Sequence, residues 1–306
     1  MKMKYFCFLG LGLLFVFSSC RNNNKKDNTD FDTPISGSIN LSVDETLRPI
    51  AEAQVNVYTH TYPGTKINVH YRPENQCIED LINDSSQVIF LGRALTEKEN
   101  KVFLQKNFAP PSLKIATDAI ALVLNKADKD TIMTMDKIGR ILRGEDKNKT
   151  IVFDNPQSGT VNYVTNKFGL DKMPKNVFAA KSNLDAVKYV SENANTIGII
   201  GWCWISDTDD PITTKILSAV NLVNVVSLDS LSKGEAFKPY QINLAQNKYP
   251  LSREVYIIPK ETRMGLAMGF ATFVHGAIGQ TIMLKSGILP AEQQPRDIQI
   301  VTKPVN

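Results

Sequence analysis

Histidine and cysteine are scarce in this chain, and none of them is spaced as in a metal-binding motif. The 306 residues include three histidines and four cysteines. The histidines are scattered, and the sequence contains no Cys-x-x-Cys or His-x-x-x-His pair. Zinc ligands usually come in such closely spaced pairs. We therefore expect neither a metal site nor a bound cofactor.

The chain also lacks a strong excess of charge of either sign. It has 35 lysines and arginines against 31 aspartates and glutamates, a formal net charge of +4. Lys2 and Lys4 belong to a predicted leader, and without them the balance is 33 against 31, a net charge of +2. Nucleic-acid-binding surfaces typically have a basic cluster interleaved with aromatic residues, and this sequence has none. Nucleic acid is therefore not an expected partner.

The apolar run near the N-terminus is too short for a comfortable membrane span. It extends from Tyr5 to Phe17 after two lysines and fits the hydrophobic region of a secretory signal. Small residues and Cys20 follow, as in the bacterial lipobox, whose cysteine is acylated and becomes the mature N-terminus. We predict a lipoprotein signal peptide over residues 1–19 and lipidation of Cys20. A plain secretory signal cleaved nearby is the alternative.

Residues 20–36 are polar and contain almost no apolar side chains. Such a segment cannot bury a core and predicts a flexible tether. The protein is therefore expected on the periplasmic side of the cell envelope, held to a membrane by its lipid anchor. In this oxidising compartment a disulfide between Cys77 and Cys203 is permitted. Nothing in their spacing requires one, and two buried thiols are favoured.

Hydrophobic periodicity after Gly37 predicts alternating strands and helices. The segments "SINLSV", "TKINVHYR" and "QVIFLG" have the pattern of strands, and the segments between them have helical spacing. A second alternating unit follows between about residues 115 and 240. A long strand, "YPLSREVYIIP", and a helical stretch over residues 262–287 follow, in which Phe270 and Ile278 are among the expected core positions. This order predicts an α/β fold with parallel sheets.

Two α/β units connected by two long β segments indicate two lobes that share a hinge. We predict lobe 1 over residues 37–116 and 250–306, lobe 2 over residues 117–249, and hinge segments near 115–120 and 248–253. Ligands of open α/β sheets bind beyond the carboxyl ends of the strands. The strand-to-helix turns of both lobes are therefore expected to face one ligand cleft.

The turn "NPQSGTVN" of lobe 2 places Ser158, Gly159 and Thr160 at the start of a helix. An ordinary N-cap is one explanation, because a Ser or Thr oxygen accepts a backbone N–H that has no partner in the first helical turn. An anion-binding site, or anion seat, is the other explanation. Hydroxyls and free N–H groups would converge there, where the helix dipole favours negative charge. The turn "NLSVDETL" of lobe 1 is similarly rich in hydroxyl and amide groups.

Seven segments between residues 37 and 300 occur in the order and spacing of one known family. They are "SVDETLRPI", "FLGRALTEKE", "TMDKIGRILRGEDKN", "NPQSGTVNYV", "IGIIGWCWI", "YPLSREVYII" and "FATFVHGAIGQTIMLKSGILP". Together they resemble the phosphate-binding proteins of bacterial ABC phosphate uptake systems, which have the type II periplasmic binding fold. The resemblance implies a monomer that is not an enzyme, captures inorganic phosphate between its lobes and delivers it to an ABC permease.

The resemblance also implies a set of phosphate-binding residues. They are Asp44, Glu45, Thr46, Arg93, Ser158, Gly159 and Thr160. Arg93 would supply a bidentate guanidinium. Asp44, with Asp154 as the second candidate, would accept a hydrogen bond from protonated phosphate and repel sulfate. Two simpler explanations stay open: Asp44 as an ordinary N-cap and Arg93 as part of a surface salt bridge.

Two features depart from the family pattern and lower the positive charge of the site. Val161 follows Ser-Gly-Thr where many members have arginine, and Asp44-Glu45-Thr46 stands where small residues are common. Sulfate, molybdate and organic phosphates are therefore alternative ligands. An interaction or sensor lipoprotein that kept the fold without transport is an alternative function. A hydrolase with Ser158 as nucleophile is disfavoured, because no Gly-x-Ser-x-Gly elbow surrounds that serine.

Overall fold

The computed structural model describes residues 31–146, 148–171 and 177–292. The predicted signal peptide, the predicted lipidation site Cys20 and most of the predicted tether lie outside the described residues. From Asp32 onward the chain forms one compact unit.

Thirteen strands and ten α-helices are present in the described residues. The strands are β1 (Gly37–Asp44), β2 (Thr65–Arg72), β3 (Val88–Leu91), β4 (Leu113–Asn125), β5 (Ile132–Met133), β6 (Thr150–Phe153), β7 (Val177–Ala179), β8 (Thr196–Gly201), β9 (Val220–Leu222), β10 (Asn224–Val226), β11 (Ala236–Phe237), β12 (Ser252–Pro259) and β13 (Leu289–Pro290). The helices are α1 (Arg48–Thr61), α2 (Glu74–Ile82), α3 (Glu97–Gln105), α4 (Met135–Leu142), α5 (Gly159–Phe168), α6 (Asn183–Glu192), α7 (Pro211–Ala219), α8 (Gln241–Ala245), α9 (Leu266–His275) and α10 (Ala277–Lys285). Short 3-10 turns lie at Glu45–Leu47, Trp202–Trp204 and Ser230–Ser232.

One sheet runs through both halves of the molecule in the order β2-β1-β3-β12-β4-β8-β6-β7. β1 is parallel to β2 and β3, and β6 is parallel to β7 and β8. These are the two parallel units that the alternation of strands and helices predicts, and the α/β class is confirmed. A smaller sheet contains β11, β10 and β5.

The long strand β4 joins the two parallel units. Its first part, up to Ala119, pairs antiparallel with β12, and its second part, from Ile120 to Leu124, pairs antiparallel with β8. β12 in turn pairs with β3. The chain therefore passes between the two parallel units along β4 and β12, which are adjacent in the middle of the sheet. This arrangement is compatible with the two predicted hinge segments. The residue boundaries of the lobes remain predictions.

The central strands are apolar runs because helices cover both of their faces. All four residues of β3 and all six of β8 are buried, as is β4 from Ala119 to Asn125. Strands buried on both faces lose the alternation of polar and apolar residues. The polar turns therefore lie at the ends of these buried strands.

The helical stretch expected over residues 262–287 is interrupted. Gly276 has an extended backbone, with ψ of 176°, which ends α9 and starts α10 at an angle of 57°. Gly279 then packs directly on the Val274 carbonyl, where a Cβ has no room. Phe270 is buried as expected, but Ile278 is half exposed, so its assignment to the core is wrong. The bend turns the first residues of α10 away from the face that α9 buries.

Among the described helices, none is by itself long and apolar enough to cross a membrane. The α9–α10 pair meets that criterion only when its two bent halves are taken together. Phe270 and Val274 of α9 and Met283 of α10 are part of the hydrophobic core.

Both cysteines of the described chain are buried free thiols, as favoured from the sequence. Burial raises the pKa of Cys77 and of Cys203 well above the usual value. Neither residue is therefore expected to form the reactive thiolate in the native protein. We predict that native protein starting at residue 21 resists an aromatic disulfide reagent and that both thiols react once it is unfolded without reductant. An unfolded chain with no titratable thiol would show instead that the two cysteines are bonded.

Candidate functional site

Two strand-to-helix turns meet at the carboxyl ends of β1 and β6. β1 ends at Asp44, and β6 is followed by the turn that begins α5 at Gly159. A Cβ on Gly159 would overlap Asp44 Oδ2 and would lie 3.1 Å from Glu74 Oε2. A glycine is therefore needed for the two turns to approach this closely. We call the junction formed by Asp44, Thr46, Ser158, Gly159 and Thr160 the candidate seat.

Asp44 is fully buried and uses only one of its two oxygens. Oδ1 accepts the backbone N–H of Thr46 at 3.1 Å, so the residue is the N-cap of the 3-10 turn that follows β1. Oδ2 has no hydrogen-bond partner among the described residues. Burial raises the pKa of Asp44 to about 7, and the negative charges of Glu74 and Asp154 add to the effect of burial, while Arg253 opposes it. A buried carboxylate is thus left with one acceptor oxygen available.

Ser158 and Thr160 differ in how their hydroxyl groups are used. Ser158 Oγ accepts the Val161 N–H at 3.2 Å and donates to Asp154 Oδ1 at 2.8 Å, so Ser158 is the N-cap of α5. The other oxygen of Asp154 accepts from Asn183 Nδ2 at 3.1 Å. Asp154, the second candidate for an acceptor, is therefore already occupied at both oxygens. Thr160 is fully buried, and its Oγ1 has no partner among the described residues.

Arg253 was not among the predicted site residues. It lies directly beneath the 3-10 turn that follows β1, which we call the first turn. Its side chain is only 1% exposed and forms a salt bridge with Asp118, with Nη2 at 2.8 Å and Nε at 3.1 Å from Oδ2. Nη1 donates to Thr46 Oγ1 at 3.2 Å. Asp118 Oδ1 accepts the Cys203 N–H at 3.1 Å. The only fully buried guanidinium among the described residues thus donates directly to Thr46, a residue of the candidate seat.

Two glycines leave space for this guanidinium. A Cβ on Gly201 would lie 2.9 Å from Nη2, and a Cβ on Gly92 would lie 3.5 Å from Nη1. The sequence did contain a signal for Arg253. It alternates with Val255 and Ile257 on the buried face of β12, so a charged residue occupies a position that the strand period assigns to the core.

Arg93 directs its guanidinium toward carboxylates of its own half of the chain. Nη1 and Nη2 lie 2.8 and 2.9 Å from the two oxygens of Glu99, and Nε donates to Glu74 Oε1 at 2.9 Å. Glu99 is fixed in turn by a capping box with Thr96 at the start of α3. The salt-bridge alternative for Arg93 therefore describes its contacts in this structure, and an anion contact for Arg93 remains a prediction.

Glu45 and Thr46 complete the first turn. Glu45 is partly exposed and lies 3.8 Å from Arg48, and burial raises its pKa. Thr46 is fully buried, and its backbone carbonyl accepts from Trp204 Nε1 at 3.0 Å. The first turn is therefore anchored to the 3-10 turn that follows β8, while a direct anion contact for Glu45 remains a prediction.

A cavity of about 350 Å³ adjoins the candidate seat. It is lined by Glu74, Gly92, Arg93, Gly159, Asn162, Tyr163, Asn166 and Lys167. Asn162 Nδ2 donates to Glu74 Oε1 at 3.2 Å, so α2 and α5 are bonded to each other along this cavity. Lys167 is exposed at its rim.

Comparison with known proteins finds one family profile and several solved structures that match most of the chain. A family profile described as a PBP superfamily domain matches residues 28–277. No curated protein matches the chain. A structure with bound phosphate from Clostridium perfringens, described as a phosphate ABC transporter substrate-binding protein, is 19% identical, with a TM-score of 0.70 over 84% of this chain and 100% of that one.

Two further solved structures show the same fold. An ABC-type phosphate transport receptor from Vibrio cholerae is 19% identical, with a TM-score of 0.64 over 82% of this chain and 99% of that one. PstS from Borrelia burgdorferi is also 19% identical, with a TM-score of 0.54 over 84% of this chain and 100% of that one. The predicted two-lobed type II periplasmic binding fold is confirmed. The ligand has to be argued from the residues of this chain, because identities this low establish the fold alone.

The raised pKa of Asp44 predicts that the unliganded protein loses stability as pH rises. Because the folded-state pKa of about 7 exceeds the ordinary value of 3.8, the folded protein holds a proton in this window that the unfolded chain releases. The free energy of unfolding should therefore fall by about 2 kcal/mol between pH 5.5 and pH 8 through this group. Denaturant titrations at the two pH values measure the difference.

Asp44→Asn is the variant that tests this assignment. It should remove the part of the loss that Asp44 contributes and leave the part contributed by Asp118 and Asp154, whose pKa values burial also raises. An unchanged pH dependence in Asp44→Asn would show that Asp44 is ionised in the folded protein throughout this range.

The buried pair of Arg253 and Asp118 predicts that removing one charge destabilises the protein more than removing both. Arg253→Met leaves an uncompensated buried carboxylate and should cost about 3–5 kcal/mol of unfolding free energy. Adding Asp118→Asn removes that charge, and its side-chain oxygen can still accept the Cys203 N–H, so the double variant should recover much of the loss. Lys114→Met is the matched control, because the exposed Lys114–Glu254 pair joins the same two strands and should contribute less than about 1 kcal/mol. Equal losses in the single and double variants would contradict a charge effect.

Proposed function

This chain belongs to the family of PBP superfamily domains, and we propose that it is an exported solute-binding lipoprotein that captures inorganic phosphate and delivers it to an ABC permease. Two of the matching structures are described as phosphate transport proteins, and one of these contains bound phosphate. The polar turns lie beyond the carboxyl ends of β1 and β6, where ligands of open α/β sheets bind.

The observation that carries the proposal is a pair of buried oxygens without hydrogen-bond partners. Thr160 Oγ1 can donate and Asp44 Oδ2 can accept, and each lies within the candidate seat. A buried polar group without a partner costs about 1–3 kcal/mol. A phosphate that carries one proton can satisfy both groups, because it accepts from the threonine and donates to the aspartate. Sulfate carries no such proton at neutral pH, so it could form a hydrogen bond with Asp44 only while Asp44 itself is protonated.

Positive potential at the seat would come chiefly from backbone groups and from one arginine. The first N–H groups of α5 have no partners within the helix, and the dipole places partial positive charge at the same end. Arg253 lies beneath Thr46, so an anion that displaces the Thr46 hydroxyl from Nη1 could receive a charge-assisted hydrogen bond. Arg93 could add its positive charge to the seat only after leaving its present ion pairs. Glu45 could contact the ligand directly only after leaving Arg48.

The mechanism we propose is capture by closure, without chemistry. The lobes, residues 37–116 with 250–306 and residues 117–249, would move about the adjacent strands β4 and β12, as hinged binding proteins do. Ser158 Oγ donates to Asp154 Oδ1 and caps α5, so it has a structural role in this turn. The closed form would dock on the permease as a monomer. The anchor proposed for this role is lipid on Cys20, after removal of residues 1–19.

Thr160→Val gives a direct test of the seat. Because the Thr160 hydroxyl has no partner in the described structure, the nearly isosteric change should leave the unliganded protein as stable as before. Phosphate binding should weaken at least about tenfold, as expected for one lost buried hydrogen bond. Titration calorimetry on protein starting at residue 21 measures the affinity. Thr165→Val is the control, because that hydroxyl bonds to the Val161 carbonyl within α5.

Wild-type phosphate affinity in Thr160→Val would remove Thr160 from the site. The ligand class is tested by thermal shifts with phosphate, sulfate and molybdate, since a ligand of the folded state raises the melting temperature by mass action. A large shift with phosphate and little with sulfate supports the proposal. No shift with any of the three would reject it in favour of an interaction or sensor lipoprotein that kept the fold.

A further inference from the structure

Acidic side chains outnumber arginines around the candidate seat. The acidic ones are Asp44, Glu45, Glu74, Glu99, Asp118 and Asp154. The arginines are Arg48, Arg93 and Arg253. If all of these groups are ionised, they carry three surplus negative charges, and Lys167 at the cavity rim reduces the surplus to two. A bare phosphate dianion would add two more in a largely buried environment.

The surplus is concentrated on two residues that flank Gly159. Asp118 has Arg253, Glu99 has Arg93, Glu45 shares Arg48 with Glu52, and Asp154 has two side-chain donors. Asp44 has only the Thr46 N–H. Glu74 shares Arg93 with Glu99, and both of its described hydrogen bonds go to Oε1. Glu74 Oε2 faces Gly159 and forms no hydrogen bond among the described residues.

The adjoining cavity gives room for more than an inorganic ion. Its volume of about 350 Å³ lies at the lower end of the range for organic ligands, about 300–1,000 Å³. Glu74 is buried and contributes to both the cavity wall and the surroundings of the seat. The side-chain amides of Asn162 and Asn166 line the same wall on α5. Gly159 belongs to both the seat and the cavity wall, so a ligand bound at the seat would border this cavity.

We propose that the preferred ligand is a phosphate ester or phosphonate that also carries a protonated amine. Its phosphorus group occupies the candidate seat and its ammonium group binds Glu74 Oε2 in the adjoining cavity. The ammonium group supplies the positive charge that the seat lacks, and a charge-assisted bond to a buried carboxylate is stronger than a neutral one. This assignment rests on the proposed role of the candidate seat in binding a phosphate group, and it replaces inorganic phosphate with an amine-bearing compound as the preferred ligand.

The test compares three probes by titration calorimetry: inorganic phosphate, ethyl phosphate and phosphoethanolamine. The last two differ in the amine. The protein is the chain from residue 21, which contains the compact unit that begins at Asp32. We expect wild-type protein to bind phosphoethanolamine at least about tenfold more tightly than either other probe, as one charge-assisted hydrogen bond provides.

Glu74→Gln tests whether the amine of the ligand binds at Glu74. The amide keeps an acceptor for Arg93 and Asn162 and removes the negative charge, so the variant should fold. The advantage of phosphoethanolamine over ethyl phosphate should fall to about one, while ethyl phosphate binds as tightly as before or more tightly. Glu79→Gln is the matched control, because Glu79 is exposed on the same helix and its replacement should leave the ranking unchanged.

Two results would overturn the inference while leaving phosphate capture intact. One is inorganic phosphate binding as tightly as phosphoethanolamine in wild-type protein, a comparison that needs no variant. The other is a phosphoethanolamine advantage that persists in Glu74→Gln. Failure of all three probes to bind would reject the proposed function together with this inference.

Discussion

The salt bridge between Arg253 and Asp118 is the interaction on which the rest of this site depends. Its two residues face each other on β12 and β4, the adjacent strands through which the chain passes between its two parallel units. Removing both charges from water is costly, and only close geometry with further hydrogen bonds compensates for it. Thr46 and the Cys203 N–H supply those bonds. The pair therefore fixes the first turn and the end of β8 relative to the crossing strands.

This arrangement connects the candidate seat to the proposed hinge without a long pathway. Thr46 is part of the seat and also accepts from Arg253, which is itself bonded across the two crossing strands. A change in the hydrogen bonding of Thr46 thus acts directly on the strands about which the lobes would move. Rigid, buried elements with few alternative arrangements transmit such changes well. A Cβ on Gly201 would lie 2.9 Å from the guanidinium and 3.0 Å from the Thr46 carbonyl oxygen, so this position has no room for a larger side chain.

The fold could be predicted from the sequence because its signals are local. Apolar runs such as "QVIFLG" and the Ser-Gly-Thr turn each specify a strand or a helix start within a few residues. The break at Gly276 was missed because helical periodicity continues across it and only the packing of Gly279 on Val274 reveals the bend. Arg253 was missed for a related reason. Alternation along β12 assigns Arg253 to the core, but its partner Asp118 is 135 residues away in the chain, and no local pattern reports a pairing over such a distance.

The close approach of carboxylates to the start of α5 explains how such a site can be selective without being strongly cationic. Asp44 and Glu74 already lie against the end of the helix where the dipole and the free N–H groups favour an anion. An incoming anion must therefore share this end with two acceptors of the protein. It does so at least cost if it brings its own protons or a positive group toward them. In the proposed site, the charge surplus would work against fully deprotonated anions, and the helix terminus would retain those that can donate a hydrogen bond.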